Sequence, residues 1–316
     1  MPSKLAEIAP TLDQLTTCPV CQASTFRPVM NLRDHMISGE SFSLVECSNC
    51  TLRLLNPRPG PDEITSYYKS DEYVSHSGTS SGLINRLYRL AQTYTMNSKR
   101  KLVIKTSGKK RGKLLDLGCG RGMFLHTMQA AGWQVRGLEP NEAARAWCKQ
   151  EYGLPVLPME QLVNIPTQSI DIITMWHVLE HVHDLVHVLK EIRRILTHDG
   201  RLILALPNYT SFDAKFYRGH WAGYDAPRHL YHFNRVVIEQ LGDRQGFRLL
   251  GSSRMLLDSF YVSMLSEKYL AGKGWMLRGL WIGLRSLALS LRSGDRGSSI
   301  IYLLSKAETP LSEPNE

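Results

Sequence analysis

Apolar and polar positions follow one another along this 316-residue chain in blocks, each with the period of a single kind of element. FSLVEC (42–47) alternates residue by residue, as a strand with one buried face does. EITSYYKS (63–70) and INRLYRLAQTYTMNSKRKLVI (84–104) carry helical spacing after a turn-rich connection, LNPRPGP. KLLDLGCGRGMFLHTMQAAGW (113–133) starts as a short apolar strand, turns through three glycines and continues as a helix, and QVRGLEP (134–140) reads as the next strand. IDIITMWHVLEH (170–181) is a further strand, and HDLVHVLKEIRRIL (183–196) is a periodic helix stopped by Asp199-Gly200. RLILALPN, FRLLGSSRML and SSIIYLLSKA supply the remaining strand patterns, the last two separated by a long helical stretch at 256–296. Strands alternating with helices predict an α/β layered fold.

Composition adds that the chain is globular, with 43% hydrophobic and 21% charged residues, apart from the tail ending PLSEPNE. MPSKLAEIAP lacks the apolar core of a secretory signal, so a cytoplasmic location and reduced thiols are expected. The net charge of +9 is concentrated: Arg86, Arg89, Lys99, Arg100, Lys101, Lys105, Lys109, Lys110, Arg111 and Lys113 fall in a window free of acidic residues. Such a patch suits phosphates of nucleic acid, lipid or a nucleotide-linked substrate, or it is a solvated helix face.

Four of the six cysteines form two C-x-x-C pairs, Cys18 with Cys21 and Cys47 with Cys50. Two such knuckles joined by a hairpin place four thiolates at tetrahedral corners, which predicts one structural zinc ion (Zn2+). A closed four-sulfur site leaves no position open for chemistry, so the metal is read as a folding staple.

Gly118, Gly120 and Gly122 let the backbone turn tightly and approach a ligand. Glu139, at the end of the following strand, is placed to accept the hydroxyls of a ribose. Asp116 narrows the choice of nucleotide, because a carboxylate there repels a pyrophosphate and favours a ligand carrying an ammonium and a sulfonium group. That ligand is S-adenosylmethionine (S-adenosyl-L-methionine). Asp116-Leu-Gly118-Cys-Gly120-Arg-Gly122 resembles the first-strand motif of the class I S-adenosylmethionine-dependent methyltransferases. The ribbon, WHVLEH after the fourth strand and the PRH tripeptide look like a bacterial subgroup of that family.

The resemblance implies a doubly wound, Rossmann-like seven-stranded sheet whose last strand is antiparallel, with an N-terminal zinc ribbon and a helical insertion before the last strand. It implies cofactor contacts at Asp116, Gly118, Cys119, Gly120, Gly122, Glu139 and Pro140, at Met159 and Glu160 beside the adenine, and at Trp176 and His177. Met159-Glu160 departs from the family's frequent Asp-Ala pair. The division expected is a ribbon at 1–60, a basic helical linker at 61–112, the catalytic domain at 113–307 and a flexible tail at 308–316, with the insertion at 256–296.

WAGYDAPRHLYHF (221–233) gathers histidines, an arginine and aromatic rings after the fifth strand, on the side where an open α/β sheet receives its second substrate. His229 is the first candidate for the base that takes a proton from an acceptor hydroxyl and His177 the second. Trp221, Tyr224 and Arg228 are candidates to hold the acceptor, Arg228 alternatively pairing with Asp225, and His232 and Phe233 are expected to pack on the helix that Asn234 caps. The acceptor expected is a small-molecule, sugar or lipid-linked compound. An RNA methyltransferase using ribbon and basic patch is the alternative, and a non-catalytic cofactor-binding scaffold a further one. In the insertion, Arg278, Arg285 and Arg292 recur every seven residues among Trp, Leu and Ile. The stretch 263–296 is read either as a helix resting on the inner face of a membrane or as a lid or dimer helix.

Overall fold

The computed structural model describes residues 12–68, 83–270, 275–292 and 294–307. The end of the helical reading at 69–70 and the tail at 308–316 lie outside the described residues.

The ribbon is a hairpin of β2 (Phe26–Arg33) and β3 (Ser41–Cys47) extended by β4 (Arg53–Leu55), all antiparallel. Phe42 and Leu44 are buried while Ser41 and Ser43 face water, as the alternation requires. The connection read as LNPRPGP is partly strand: β5 (Arg58–Pro59) pairs with β1 (Leu12–Asp13). A long helix, α1 (Leu83–Ser107), then leads to the main sheet.

That sheet is built from β6 (Lys113–Leu117), β7 (Gln134–Leu138), β8 (Val156–Leu157), β9 (Ile170–Trp176), β10 (Leu196–Pro207), β12 (Phe247–Arg254) and β13 (Ser299–Lys306). Their spatial order is β12-β13-β10-β9-β6-β7-β8, and β13 alone runs against its neighbours. This is the expected seven-stranded, doubly wound fold. Ile172, Ile173 and Met175 are fully buried, because a central parallel strand has helices on both faces. The chain reverses direction across the sheet between β6 and β9, and the crevice beyond their carboxyl ends is where such folds bind ligands.

Helix α2 (Met123–Ala130) follows the glycine turn, and α3 (Glu142–Tyr152) is capped by Asn141, which accepts from the Ala144 amide at 2.9 Å. Helix α4 (Leu185–Ile195) starts at the Asp184 cap and buries Leu185, Leu189, Ile192 and Ile195 along one face. It stops earlier than the sequence implied. Leu196 is already extended and pairs with Ile170, and Asp199-Gly200 forms the irregularity between two registers of β10 instead of ending the helix.

After β10 come α5 (Phe212–Tyr217), β11 (Tyr231–His232) and α6 (Arg235–Arg244). β11 does not join the main sheet. It pairs antiparallel with β4, Tyr231 opposite Leu54, and completes the ribbon's sheet in the order β11-β4-β3-β2. Leu52 and Leu54 accordingly share one buried cluster with Leu230, Tyr231 and Phe233. The insertion is a pair of helices, α7 (Asp258–Leu270) and α8 (Trp275–Arg292). Their backbones approach closely at Gly279 and Gly283, where an added Cβ would lie 2.7 Å from Met264 Cα and 2.8 Å from Phe260 Cα.

Candidate active site

The turn after β6 is held by its own chain. Gly118, at φ +66°, has no room for a Cβ, which would stand 2.5 Å from Val178 Cγ2. Gly120, at φ +54°, has nothing within 4 Å of the same point, so its bare edge borders space a ligand can enter. Glu139 accepts from the Gly120 amide at 2.8 Å through Oε2 and from the Asn141 amide at 3.0 Å through Oε1. Each oxygen keeps a second lone pair for a ribose hydroxyl. Asp116 sits at the carboxyl end of β6, buried against Thr174, which donates to its Oδ1. Burial pushes its carboxyl up to about 7, against the Thr174 hydrogen bond and the Lys99 charge. The ammonium of S-adenosylmethionine would return that carboxyl to its ionised form. An acidic crevice with open backbone and a spare-lone-pair carboxylate one strand away fits this cofactor. Cys119 is partly buried at the turn, Pro140 is exposed with its carbonyl accepting from Arg145, Met159 is half-buried, and Glu160 is exposed.

Lys99, read only as part of a surface patch, proves to belong here. Its ammonium lies 4.2 Å from the centre of the Trp176 ring, and burial lowers its pKa while the Asp116 and Asp258 charges oppose that shift. Trp176 in turn meets Phe124 edge-on at 5.3 Å. Lys109 pairs with Asp171. Two members of the basic patch are thus engaged inside the catalytic domain.

Past β9 the chain puts His177 in the left-handed region, φ +58°, an uncommon conformation for a side-chain-bearing residue and one found at functional turns. Its Nε2 is 3.1 Å from Asp258 Oδ2 and its Nδ1 3.5 Å from Glu180 Oε1. Burial works to lower the pKa of His177, but the two carboxylates overcome it and hold the ring at about 9. Asp258 and Glu180 thus favour the charged form of His177, the second candidate base. Glu180 is fully buried, and neither of its oxygens has a hydrogen-bond partner among the described residues. Burial would raise its pKa, yet His177 and the other nearby histidines keep it low.

His229 Nδ1 is 2.9 Å from the Gly223 carbonyl. A carbonyl only accepts, so Nδ1 carries a hydrogen and Nε2 is the ring nitrogen left to exchange a proton. Nε2 stands 4.0 Å from Glu180 Oε1 and 3.9 Å from Asp225 Oδ2. His181, 4.6 Å from His229 ring to ring, is pushed down to about 4 by burial and by His229, so it stays neutral. Glu180, His181 and His229 bring ligand-type atoms within 4.8 Å of one another. The 4.0 Å between His229 Nε2 and Glu180 Oε1 is wider than the roughly 3.0–3.4 Å between neighbouring ligands about 2.1 Å from a shared ion. Two carboxylates thus stand beside His229 Nε2.

The three residues expected to hold the acceptor, Trp221, Tyr224 and Arg228, line one small cavity together with His35, Asp225 and Tyr269, and each also has partners within the fold. Arg228 is 1% exposed, its guanidinium bonded to Asp225 at 2.6 Å, to Asp34 of the ribbon at 3.1 Å and to the Tyr67 carbonyl at 3.0 Å. Trp221 is buried with its indole N–H on Asp213 at 2.8 Å, and Tyr224 is buried with its hydroxyl accepting from Arg53 at 3.1 Å. Their rings and charges knit the ribbon to the catalytic domain. His232 and Phe233 are buried, and Asn234 caps α6 through the Val237 amide at 2.9 Å.

In the ribbon, Cys18, Cys21, Cys47 and Cys50 converge, all buried and none in a disulfide. Sulfur separations of 3.5 Å for Cys18–Cys50 and 3.4 Å for Cys21–Cys47 approach the about 3.8 Å edge of a tetrahedron with 2.3 Å zinc–sulfur bonds. Gln22 and Thr51, the residue after each pair, take positive φ of 64° and 66° and close the two knuckles. The four thiols fit zinc.

A family described as a methyltransferase domain matches residues 88–251. A ubiquinone biosynthesis O-methyltransferase of Actinobacillus pleuropneumoniae is 33% identical over 118 residues, covering 34% of this chain and 50% of that protein. A probable S-adenosylmethionine-dependent methyltransferase of Mycobacterium tuberculosis is 25% identical over 130 residues, covering 40% of this chain and 44% of the other. The chain thus spans about half the length of the curated relatives it matches. Among solved structures, a putative sarcosine dimethylglycine methyltransferase from Galdieria sulphuraria shares the fold with a TM-score of 0.50 at 15% identity, covering 70% of this chain and 88% of that one. With an acidic, glycine-walled turn at the switch point of a seven-stranded sheet and a family match over half its length, the chain belongs to the methyltransferase-domain family.

Proposed function

We propose that the enzyme methylates a hydroxyl oxygen of a small-molecule, sugar or lipid-linked acceptor, with His229 as the base. The observation that carries this reading is the commitment of His229 Nδ1–H to the Gly223 carbonyl at 2.9 Å, which leaves Nε2 as the nitrogen to take a proton. The cofactor, when bound, supplies the methyl group on a sulfonium. The new oxygen–carbon bond forms as the carbon–sulfur bond breaks, its electron pair going to sulfur. The hydroxyl proton passes to His229 Nε2, where Glu180 and Asp225, 4.0 and 3.9 Å away, favour the resulting imidazolium. Lys99 and Asp116 orient the charged end of the cofactor, and Trp176 walls the crevice. The O-methyltransferases among the relatives support oxygen as the accepting atom.

Incubation with methyl-labelled cofactor and fractionated cell extract tests the acceptor class, label in the small-solute or lipid fraction being expected and label confined to RNA overturning the reading. His229→Ala should bind cofactor normally and turn over about 10²–10⁴-fold more slowly. A folded variant with parental turnover would leave the chemistry to alignment alone.

A further inference from the structure

Helix α8 wears its apolar residues on the wrong side for a core helix. Gly279, Ile282, Gly283, Ser286 and Ser290 are buried and face the rest of the protein, and most of them are small. The opposite face is the greasier one: Leu277 is 77% exposed, Trp281 57%, Leu284 56% and Leu291 60%, with Leu280 beside them. At about 100° per residue these fall in one stripe along the helix. Arg278, Arg285 and Arg292 run down a single edge of that stripe, since a seven-residue spacing drifts only about 20° per repeat. The helix carries no acidic residue, and Glu267 of α7 lies 3.3 Å from Arg278 Nε. Arg285 lies over the Phe212 and Trp281 rings.

We propose that this face of α8 rests on a membrane surface of anionic phospholipid, the Leu/Trp stripe entering the boundary between headgroups and acyl chains and the arginine row meeting lipid phosphates. Among the described residues no helix is long and apolar enough to cross a membrane, so the contact lies in the plane of the surface. The charge favours this occupant: apolar burial alone suits any greasy partner, but three aligned cations at the stripe's edge suit a sheet of phosphates. A second copy of the chain would set arginine row near arginine row. The stripe is also small for that purpose: an 18-residue helix offers roughly 27 Å by 10 Å, well short of the roughly 800 Å² per partner of a stable dimer. The inference does not depend on the acceptor assigned above.

Flotation of the full chain at low salt, with vesicles of phosphatidylcholine alone and of phosphatidylcholine mixed with phosphatidylglycerol, tests it. The protein should rise only with the anionic vesicles, and Arg285→Gln with Arg292→Gln should lower partitioning about 30-fold, the usual effect of two basic charges near an anionic leaflet. Leu277→Asp with Leu284→Asp should abolish flotation while cofactor affinity, read by calorimetry, stays at the parental value. In the unaltered fold, the emission difference between parent and Trp281→Phe should shift to the blue when anionic vesicles are added. Protein that stays at the bottom of the gradient, or flotation indifferent to both pairs of substitutions, overturns the proposal. So does a dimer in sedimentation that the two aspartates dissociate, which would give the face to a second copy.

Discussion

Replacing Arg228 separates two roles that the sequence left equally open, acceptor clamp and internal tie. Its guanidinium meets Asp225 through Nε at 3.0 and 3.1 Å and through Nη2 at 2.6 Å, Asp34 at 3.1 Å and the Tyr67 carbonyl at 3.0 Å. Burial disfavours its charge, but Asp225 and Asp34 more than compensate and hold its pKa above the ordinary arginine value. Arg228→Met keeps much of the volume and removes the cation that balances Asp34, whose side chain is 0% exposed and is otherwise held by the Met36, Ile37 and Ser38 amides, and Asp225, 15% exposed. Breaking one side of such a buried pair costs about 3–5 kcal/mol, which lowers the melting temperature by roughly 6–20 °C. Thermal denaturation measures this, and calorimetry below the new melting point should find cofactor binding unchanged. Asp34→Asn in the same background should recover part of the loss, because it removes the stranded charge. A variant that melts with the parent and yet turns over no acceptor would refute the reasoning and return Arg228 to the substrate.

Two further outcomes follow from the site and the ribbon. Asp116 must be ionised to meet the cofactor's ammonium, and burial sets its free-state pKa at about 7, so cofactor affinity should fall as pH drops through neutrality, approaching tenfold per unit in acid. Calorimetry in buffers of different ionisation enthalpy should register proton release near pH 7, and Asp116→Asn should bind weakly with no pH dependence; a flat parental profile would contradict the assignment. Elemental analysis should give one zinc per chain, lost in Cys47→Ser together with thermal stability, and a metal-free protein of parental stability would show that the four thiols need no ion.

The elements whose residues speak through local period were legible: the strand–turn–helix at Asp116–Gly122, the knuckles and the helical stretch before the last strand, which the structure divides into two helices. The seven-stranded, doubly wound sheet with its antiparallel last strand came from the resemblance, and the observed strand pairing agrees with it. What local pattern does not encode is the distant partner. Arg228 reads as an exposed cation until Asp34 and Tyr67 arrive from the ribbon, and Lys99 reads as one charge of a patch until α1 lays it beside Trp176 and Asp116. The two carboxylates of His177 were unequally legible: Glu180 is three residues away, whereas Asp258 comes from the start of the insertion. The end of α4 was misjudged because Asp-Gly serves equally well to stop a helix and to bulge a strand, and only the register against β9 decides between them.

The pairing of β11 with β4 bears on how the chain is made. Synthesis delivers the ribbon first, yet one edge of its sheet waits for Tyr231 and His232, which leave the ribosome only after most of the catalytic domain. Until then β4 presents an open row of backbone donors and acceptors, the kind of edge that recruits stray strands. A fragment ending after Leu55 would keep that edge permanently, and a ribbon exchanged between relatives would arrive without its fourth strand. The ribbon thus emerges well before the segment that completes it.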